Sequence, residues 1–358
     1  MPTRKIPTGR GAVINPTNRF ESARLEDDTD HLSAEDLAAR PSRIATQFLP
    51  DEARTVICKN DSPDIPFRYS INPYRGCEHG CAYCYARPGH ETLGMNAGLD
   101  FEAKILVKFQ AADLFRSELN HPTWQGELLA LSGVTDCYQP AERQFRITRG
   151  LLEVAAEANQ VIGIVTKNVL LLRDLDLLAA MAVKNLVHVF LSVTTLDQTL
   201  SRQLEPRTAS PTAKLRAIRE LAGHGIPVGV MVAPVIPGLN DHEVPNILEA
   251  CRDAGAQSAH YLLLRLPLAV RPIFLEWLAE FRPQARAKVE SLIRQTRKGK
   301  WNDSQFGRRH RGQGNYAQGM EDLFRTFSAR YGLNQKLPPL DTSHFCPPRK
   351  ANGQLRLF

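Results

Sequence analysis

The sequence predicts an α/β protein built on a parallel sheet of six strands. Six short apolar runs recur along the middle of the chain, and segments with helical periodicity separate them. Several runs are β-branched and nearly continuous rather than alternating, as in strands covered on both faces. Six strands joined by five helical crossovers wind with right-handed connections. They form either an open, doubly wound sheet or a full or partial barrel, and periodicity leaves both open. In each case the chemistry gathers at the carboxyl ends of the strands.

The elements follow in order. Residues 1–50 are polar, rich in Arg, Asp, Pro and Thr, and read as an arm that is disordered or draped over the core. The core spans 51–280, with strands at 67–71, 128–131, 161–165, 187–193, 228–232 and 261–264. Helices are expected at 107–119, 147–159, 170–183, 211–224 and 243–254. Ser210 and Pro211 supply N-cap and first turn for the fourth helix, and Asn240-Asp241 leads into the fifth. Residues 281–334 read as a basic helical extension. Between Arg282 and Arg311, ten Lys or Arg stand against Glu290 and Asp303, a net of +8. Such a stretch suits a polyanion, with Trp301, Phe306 and Tyr316 nearby for stacking, or else is a solvated helix face and loop. Residues 335–358 read as an extended tail, since Pro338-Pro339 and Pro347-Pro348 cannot continue a helix.

The bulk composition limits the class. Of 358 residues, 43% are hydrophobic and 23% charged, as in soluble globular chains. No eighteen-residue apolar run occurs, and the charged start is followed by no apolar stretch, so a cytoplasmic chain without a membrane span or secretory signal is expected. The seven cysteines are an odd number and only three cluster, which argues against a disulfide framework. Cys58, Cys137, Cys251 and Cys346 are scattered and read as small buried hydrophobes.

The three clustered cysteines lie directly after the first strand, in NPYRGCEHGCAYCYAR at 72–87. The spacing C-x3-C-x2-C places Cys77, Cys81 and Cys84 on one loop, where three thiolates can occupy three corners of an iron–sulfur cubane and leave one iron without a protein ligand. Gly76 and Gly80 let the backbone turn around a bulky cluster. The alternative is a Cys3His zinc site with His79 or His90 as fourth ligand. Such sites usually draw their ligands from two separate segments.

This spacing, with Tyr83 before the last cysteine, resembles the radical S-adenosylmethionine (SAM) superfamily over roughly residues 65–270. Within it the chain is most similar to the branch related to spore photoproduct lyase, where a second tyrosine follows the last cysteine, as Tyr85 does, and a Ser/Thr-Asp pair ends the second strand. The resemblance implies a partial (β/α)6 barrel, a [4Fe–4S] cluster on the three cysteines, and SAM chelated by the free iron. It further implies reductive cleavage of SAM to a 5′-deoxyadenosyl radical, hydrogen abstraction from a substrate, and an electron donor such as flavodoxin or ferredoxin.

By the same resemblance, Tyr83, Thr135, Asp136, Lys167 and Ser192 are expected at the SAM pocket. Thr135 and Asp136 stand for the Ser/Thr-Asp pair. The superfamily's usual Gly-Gly-Glu motif is absent, so Asp136 is the expected acceptor for the SAM amine. Lys167 ends the third strand, where an ammonium can meet the SAM carboxylate or ribose. Ser192, Thr194 and Thr195 end the fourth strand as ribose-binding hydroxyls. Glu205 and Arg265 lie at sheet ends, where they contact substrate or form ordinary salt bridges. Tyr85 and Cys137 are the expected catalytic side chains. In spore photoproduct lyases a cysteine just before the Ser/Thr-Asp pair donates a hydrogen atom; Val134 stands there, and Cys137 is the nearest thiol. The carboxyl-terminal Gln354-Leu-Arg-Leu-Phe358 resembles the motif by which bacterial proteins dock on the DNA sliding clamp. The leading expectation is therefore a radical SAM enzyme acting on DNA or another nucleic acid, of the lesion-repair kind. The alternatives are modification of a protein or small molecule, and a metal-bearing nucleic-acid binding module without catalysis.

Overall fold

The computed structural model describes residues 9–21 and 44–348. Among the described residues there are ten strands: β1 (Gln47–Pro50), β2 (Ile57–Lys59), β3 (Tyr69–Ile71), β4 (Tyr74–Arg75), β5 (Lys104–Val107), β6 (Leu129–Leu131), β7 (Ile162–Thr166), β8 (Val187–Ser192), β9 (Val228–Val235) and β10 (Ser258–Leu263). The main sheet has the order β10-β9-β8-β7-β6-β3-β2. Its six long-range neighbours β3, β6, β7, β8, β9 and β10 pair in parallel, and β2 closes one edge antiparallel to β3. Each new strand is added on the same side as the last, without the reversal that marks a doubly wound sheet. This is the winding of a barrel, and the fold is the expected partial (β/α)6 type.

The crossover helices are Ala111–Leu119, Ile147–Glu157, Leu175–Val183, Pro211–Gly223 and Val244–Asp253. Each turns an apolar stripe to the sheet: Phe115 and Leu119, Leu151 and Leu152, Leu178 and Met181, Ile218 and Leu221, Ile247 and Leu248 are all fully buried. At roughly 1.5–3 kcal/mol for each such side chain, this burial holds the strand ends in register. Ser210 caps its helix as expected, its hydroxyl accepting from the Ala213 N–H at 3.3 Å. Asn240 does not cap. Its Oδ1 accepts from the Ile236 N–H at 2.6 Å, and its amide donates to the carbonyls of Thr194 at 2.7 Å and Pro234 at 3.1 Å. It ties the end of β9 to the end of β8, and the helix is entered instead through the 3-10 turn Asp241–Glu243.

Other differences from the sequence reading follow from length. Val107, expected to begin a helix, instead ends β5, because β5 is the centre of a second, three-stranded sheet ordered β1-β5-β4. Strands of two to four residues leave no periodic signal. In the basic extension, helices Arg286–Gln295 and Asn315–Arg330 are joined by a long loop. The second of them covers the sheet, with Phe324 against Tyr261 at 4.7 Å between ring centroids. Cys137 and Cys251 are buried, whereas Cys58 and Cys346 are exposed. Cys58 lies on the outer edge strand β2, where no further strand covers it. Among the described residues no helix is long and apolar enough to cross a membrane. The clamp-like segment 354–358 lies outside the described residues, as do 1–8 and 22–43 of the amino-terminal arm.

Candidate active site at the cysteine loop

The chain leaves β3 and turns through β4 directly into the cysteine loop, which places the loop at the carboxyl end of the sheet. Gly76 has φ +80°, and a Cβ there would come within 2.9 Å of the Lys104 carbonyl oxygen and 3.0 Å of that of Phe101. Glycine is what lets the loop press so closely on helix Leu99–Ala103. The Cys77 N–H donates to the Phe101 carbonyl at 2.9 Å, and the Ala82 N–H to that of Leu204 at 3.0 Å. Gln139, fully buried, donates to the Gly76 carbonyl at 3.1 Å and accepts from the Glu78 N–H at 2.9 Å. Elements remote in sequence thus fix the loop before any group binds to it.

Cys77 and Cys81 are buried, Cys84 is half-buried, and none of the three is in a disulfide among the described residues. Burial pushes each thiol above its ordinary range, and the neighbouring thiols and Asp136 push Cys77 further. Thiolates in such surroundings need a strong cation, and a bound metal deprotonates its thiols outright. Three sulfur donors on one loop, carrying glycines at 76 and 80, fit a [4Fe–4S] cubane with one iron left for another ligand. His79, an alternative fourth ligand, is already committed. Its Nδ1 faces Asp136 Oδ2 at 3.3 Å, and its Nε2 accepts from Asn168 Nδ2 at 3.1 Å. The Asn168 orientation is set by its Oδ1, which accepts from the Leu170 N–H at 3.1 Å. His90 is buried behind Gly76, edge-on to Phe101 at 5.6 Å.

Asp136 is a brace. Its Oδ1 accepts from the Thr166 hydroxyl at 2.7 Å and the Tyr138 N–H at 2.9 Å, and its Oδ2 from the Lys167 N–H at 2.8 Å, besides facing His79. Burial alone would push this carboxyl up, but His79 and the surrounding donors hold it below its ordinary range. Asp136, the expected acceptor for a SAM amine, already carries these contacts. It joins the ends of β6 and β7 to the cysteine loop. Thr135 is likewise engaged, its hydroxyl donating to the Tyr74 carbonyl at 2.6 Å and its N–H to Asn72 Oδ1 at 3.2 Å.

Glu205 is the centre of a second network. Its carboxylate accepts from the Tyr83 phenol, from the Thr194 hydroxyl at 2.6 Å, and from the ammonium groups of Lys167 at 3.1 Å and Lys214 at 2.9 Å. Burial opposes ionisation, yet the two lysines hold Glu205 well below the usual carboxylate range. Burial pushes Lys214 down, and Glu205 opposes that shift. Lys167 completes its coordination with the Thr194 hydroxyl at 3.1 Å and the Ala233 carbonyl at 2.9 Å, and lies 5.6 Å from the centre of the Tyr83 ring. Two lysines around one carboxylate leave this buried patch with an excess positive charge. Lys214 escapes sequence reading because a lysine in the first turn of a helix reads as solvated. Ser192 is buried at the last position of β8, and the Thr195 hydroxyl donates to Glu243 at 2.6 Å.

The arm contributes as well. Gly11 lies so close to the loop that a Cβ there would fall 1.8 Å from the Gly80 carbonyl oxygen. Glu102, fully buried, accepts from the N–H groups of Gly11 at 3.1 Å and Ala12 at 2.8 Å and pairs with fully buried Arg87. Arg87 also donates to the Cys81 carbonyl at 2.7 Å and the Gly98 carbonyl at 3.0 Å. An ion pair this deep is held by hydrogen bonds on both sides. Sequence reading singled out none of Arg87, Glu102 and Gly11, because a buried ion pair between distant segments leaves no local pattern.

At the rim, Tyr85 and Val134 are half exposed, and the Tyr85 phenol donates to the Gly133 carbonyl at 2.8 Å. Cys137 is instead fully buried in the main core with Ile71, Leu131 and Leu151. The expectation that Cys137 replaces the donor missing at Val134 thus falls on a core side chain, while Val134 itself lies at the rim.

Residues 71–251 match the radical SAM superfamily. An uncharacterised protein of Mycobacterium tuberculosis (strain H37Rv) is 38% identical over 258 residues, covering 70% of this chain and 76% of its own length. An uncharacterised protein of Methanocaldococcus jannaschii is 31% identical over 176 residues, 49% of this chain and 63% of that protein. Among solved structures, a spore photoproduct lyase variant with bound AdoMet and dinucleoside spore photoproduct superposes with a TM-score of 0.55 at 19% identity, over 79% of this chain and 78% of that one. A second spore photoproduct lyase structure, complexed with dinucleoside spore photoproduct, gives 0.54 at 18% identity over the same shares. At these identities the likeness is one of fold.

Proposed function

The chain belongs to the radical SAM superfamily, whose members use a [4Fe–4S] cluster and SAM, and we propose that it is a radical SAM enzyme acting on a nucleic acid. Cys77, Cys81 and Cys84 hold the cluster on this reading. When bound, the cluster and SAM supply one-electron reductive cleavage and hydrogen-atom abstraction. The protein's own part is to fix and shield. Gln139, Arg87 and the arm at Gly11 hold the loop, while Asp136 and His79 lock it to β6 and β7. Lys167, with Thr194 and Ser192 at the adjoining strand ends, lies over the Tyr83 ring and is the side chain offered to the SAM carboxylate or ribose. Because its ammonium is shared with Glu205, SAM would bind by taking over one of its contacts.

The observation that carries the nucleic-acid reading is the composition of the rim. Tyr85 and Phe306 expose half or more of their surface, with the Arg309 guanidinium 4.8 Å from the centre of the Phe306 ring. An aromatic face backed by guanidinium groups is the arrangement on which bases stack and phosphates pair. The other stacking candidates are engaged: Tyr316 bonds Asp241, and Trp301 lies under Arg294 at 5.9 Å. Tyr85, next to Cys84 and open to substrate, is the catalytic side chain on this reading. Incubating reconstituted protein, SAM and a reductant with deuterated DNA tests it: deuterium should enter 5′-deoxyadenosine. Its absence, with deuterium transferred instead from deuterated protein or metabolite extracts, would defeat the nucleic-acid reading.

A further inference from the structure

Several buried polar atoms have no hydrogen-bond partner among the described residues, and a group of them lies where β10 meets the loop after helix Arg286–Gln295. They include the Nε of Arg265, the Nε of Arg297 and both ring nitrogens of His310. The backbone holds these residues together. The Leu263 N–H donates to the His310 carbonyl at 2.9 Å, and Arg297 donates to the carbonyls of Leu264 at 2.8 Å and Arg308 at 3.1 Å.

The charges around them do not cancel. Asp64 accepts from Arg309 Nε at 2.8 Å and Nη2 at 2.5 Å, a bidentate pair along one guanidinium edge, and lies 3.7 Å from His310. Asp303 faces Arg308 at 3.4 Å. Among the described residues this leaves Arg265 and Arg297 without a carboxylate partner, although Arg297 is only 2% exposed. A desolvated guanidinium with no counter-charge is costly, and clustered unsatisfied donors call for an acceptor. Burial and the nearby guanidinium groups push His310 down to about 4, so at neutral pH the ring is uncharged and has one N–H to give. The Arg265 guanidinium, the unpartnered Nε–H of Arg297 and an imidazole N–H suit an anion with several acceptor oxygens. Phosphate meets that description better than a carboxylate, which has two.

We propose that Arg265, Arg297 and His310 form a phosphate-binding subsite at the end of β10, next to the substrate rim. That this phosphate belongs to a nucleic-acid backbone rests on the function proposed above; the subsite itself does not. Arg265 and Arg309 both act electrostatically on Tyr85, and Arg309 lies 4.8 Å from the centre of the Phe306 ring, so the subsite adjoins the aromatic rim.

The test uses the full chain, reconstituted anaerobically. In the wild type, orthophosphate should raise the thermal midpoint above that in chloride at equal ionic strength and shift the His310 ring resonances. Arg265→Gln should weaken binding of a short single-stranded oligonucleotide by about tenfold or more and flatten the dependence of log K on log salt by about 0.7. If orthophosphate binds and Arg265→Gln abolishes it, but the oligonucleotide binds no better than orthophosphate, the subsite stands and the nucleic-acid reading falls. If His310 is indifferent to orthophosphate, the subsite is overturned even where the oligonucleotide binds. The same follows if a folded Arg265→Gln protein keeps the wild-type affinity and salt slope. The orthophosphate arm decides the matter should the variant not fold.

Discussion

Glu205→Gln is the sharpest probe of the network behind the cysteine loop. Glutamine keeps the shape and one acceptor, so Tyr83 and Thr194 can retain a partner, but the charge between Lys167 and Lys214 is lost. Lys167 is 16% exposed at its side chain and can turn towards water, whereas Lys214, at 2%, cannot. Removing one partner from a buried pair costs about 3–5 kcal/mol. For a chain of this size that is roughly a 4–7 °C fall in the thermal midpoint. Most of the loss is the stranded Lys214 ammonium, so Lys214→Met in the same chain should restore about half of it or more. The assay is thermal unfolding of cluster-free wild type, both single variants and the double variant, followed by tryptophan fluorescence. An unchanged midpoint for Glu205→Gln, or no recovery in the double variant, would refute the buried-charge account.

Gly11→Ala puts a Cβ into the Gly80 carbonyl, so the arm should lift from the loop and the reconstituted protein should lose iron faster in a chelator chase than wild type. Cys137→Ala removes a packed core sulfur and should cost about 1–2 kcal/mol of stability, while chromatography of the reaction products shows the wild-type set. Burial lowers the His90 pKa to about 4, below its unfolded value near 6.5. The unfolded chain therefore takes up the proton first, and stability falls as pH drops from about 6.5 towards 4, by up to ~3 kcal/mol. Urea midpoints across that range should show the slope, and His90→Phe should lessen it.

The six parallel strands were legible because each is an apolar run between helices with clear stripes, and the C-x3-C-x2-C spacing marks the loop by itself. The small sheet β1-β5-β4 was not legible, since its strands are too short to carry a period. Asp136 and Lys167 were found from the motif, but their partners are set by tertiary approach. Spacing cannot tell that His79 will lie against Asp136, or that Lys214 will turn inward to Glu205. Asn240 has the residue type of a cap and instead binds two strand ends, because burial forces its amide to find fixed partners. Arg265, at a strand end, and Arg297, in the basic stretch, look in sequence like ordinary solvated arginines. Their meaning comes from where Asp64 and Asp303 are spent.

The central claim is that Cys77, Cys81 and Cys84 carry a cluster that cleaves SAM. Protein purified and reconstituted anaerobically, given SAM and dithionite, should hold about four iron and four sulfide per chain and release 5′-deoxyadenosine. The Cys77→Ala, Cys81→Ala and Cys84→Ala variants should lose both metal and product. Stoichiometric zinc without sulfide, or a full cluster from which no 5′-deoxyadenosine ever forms, would contradict it.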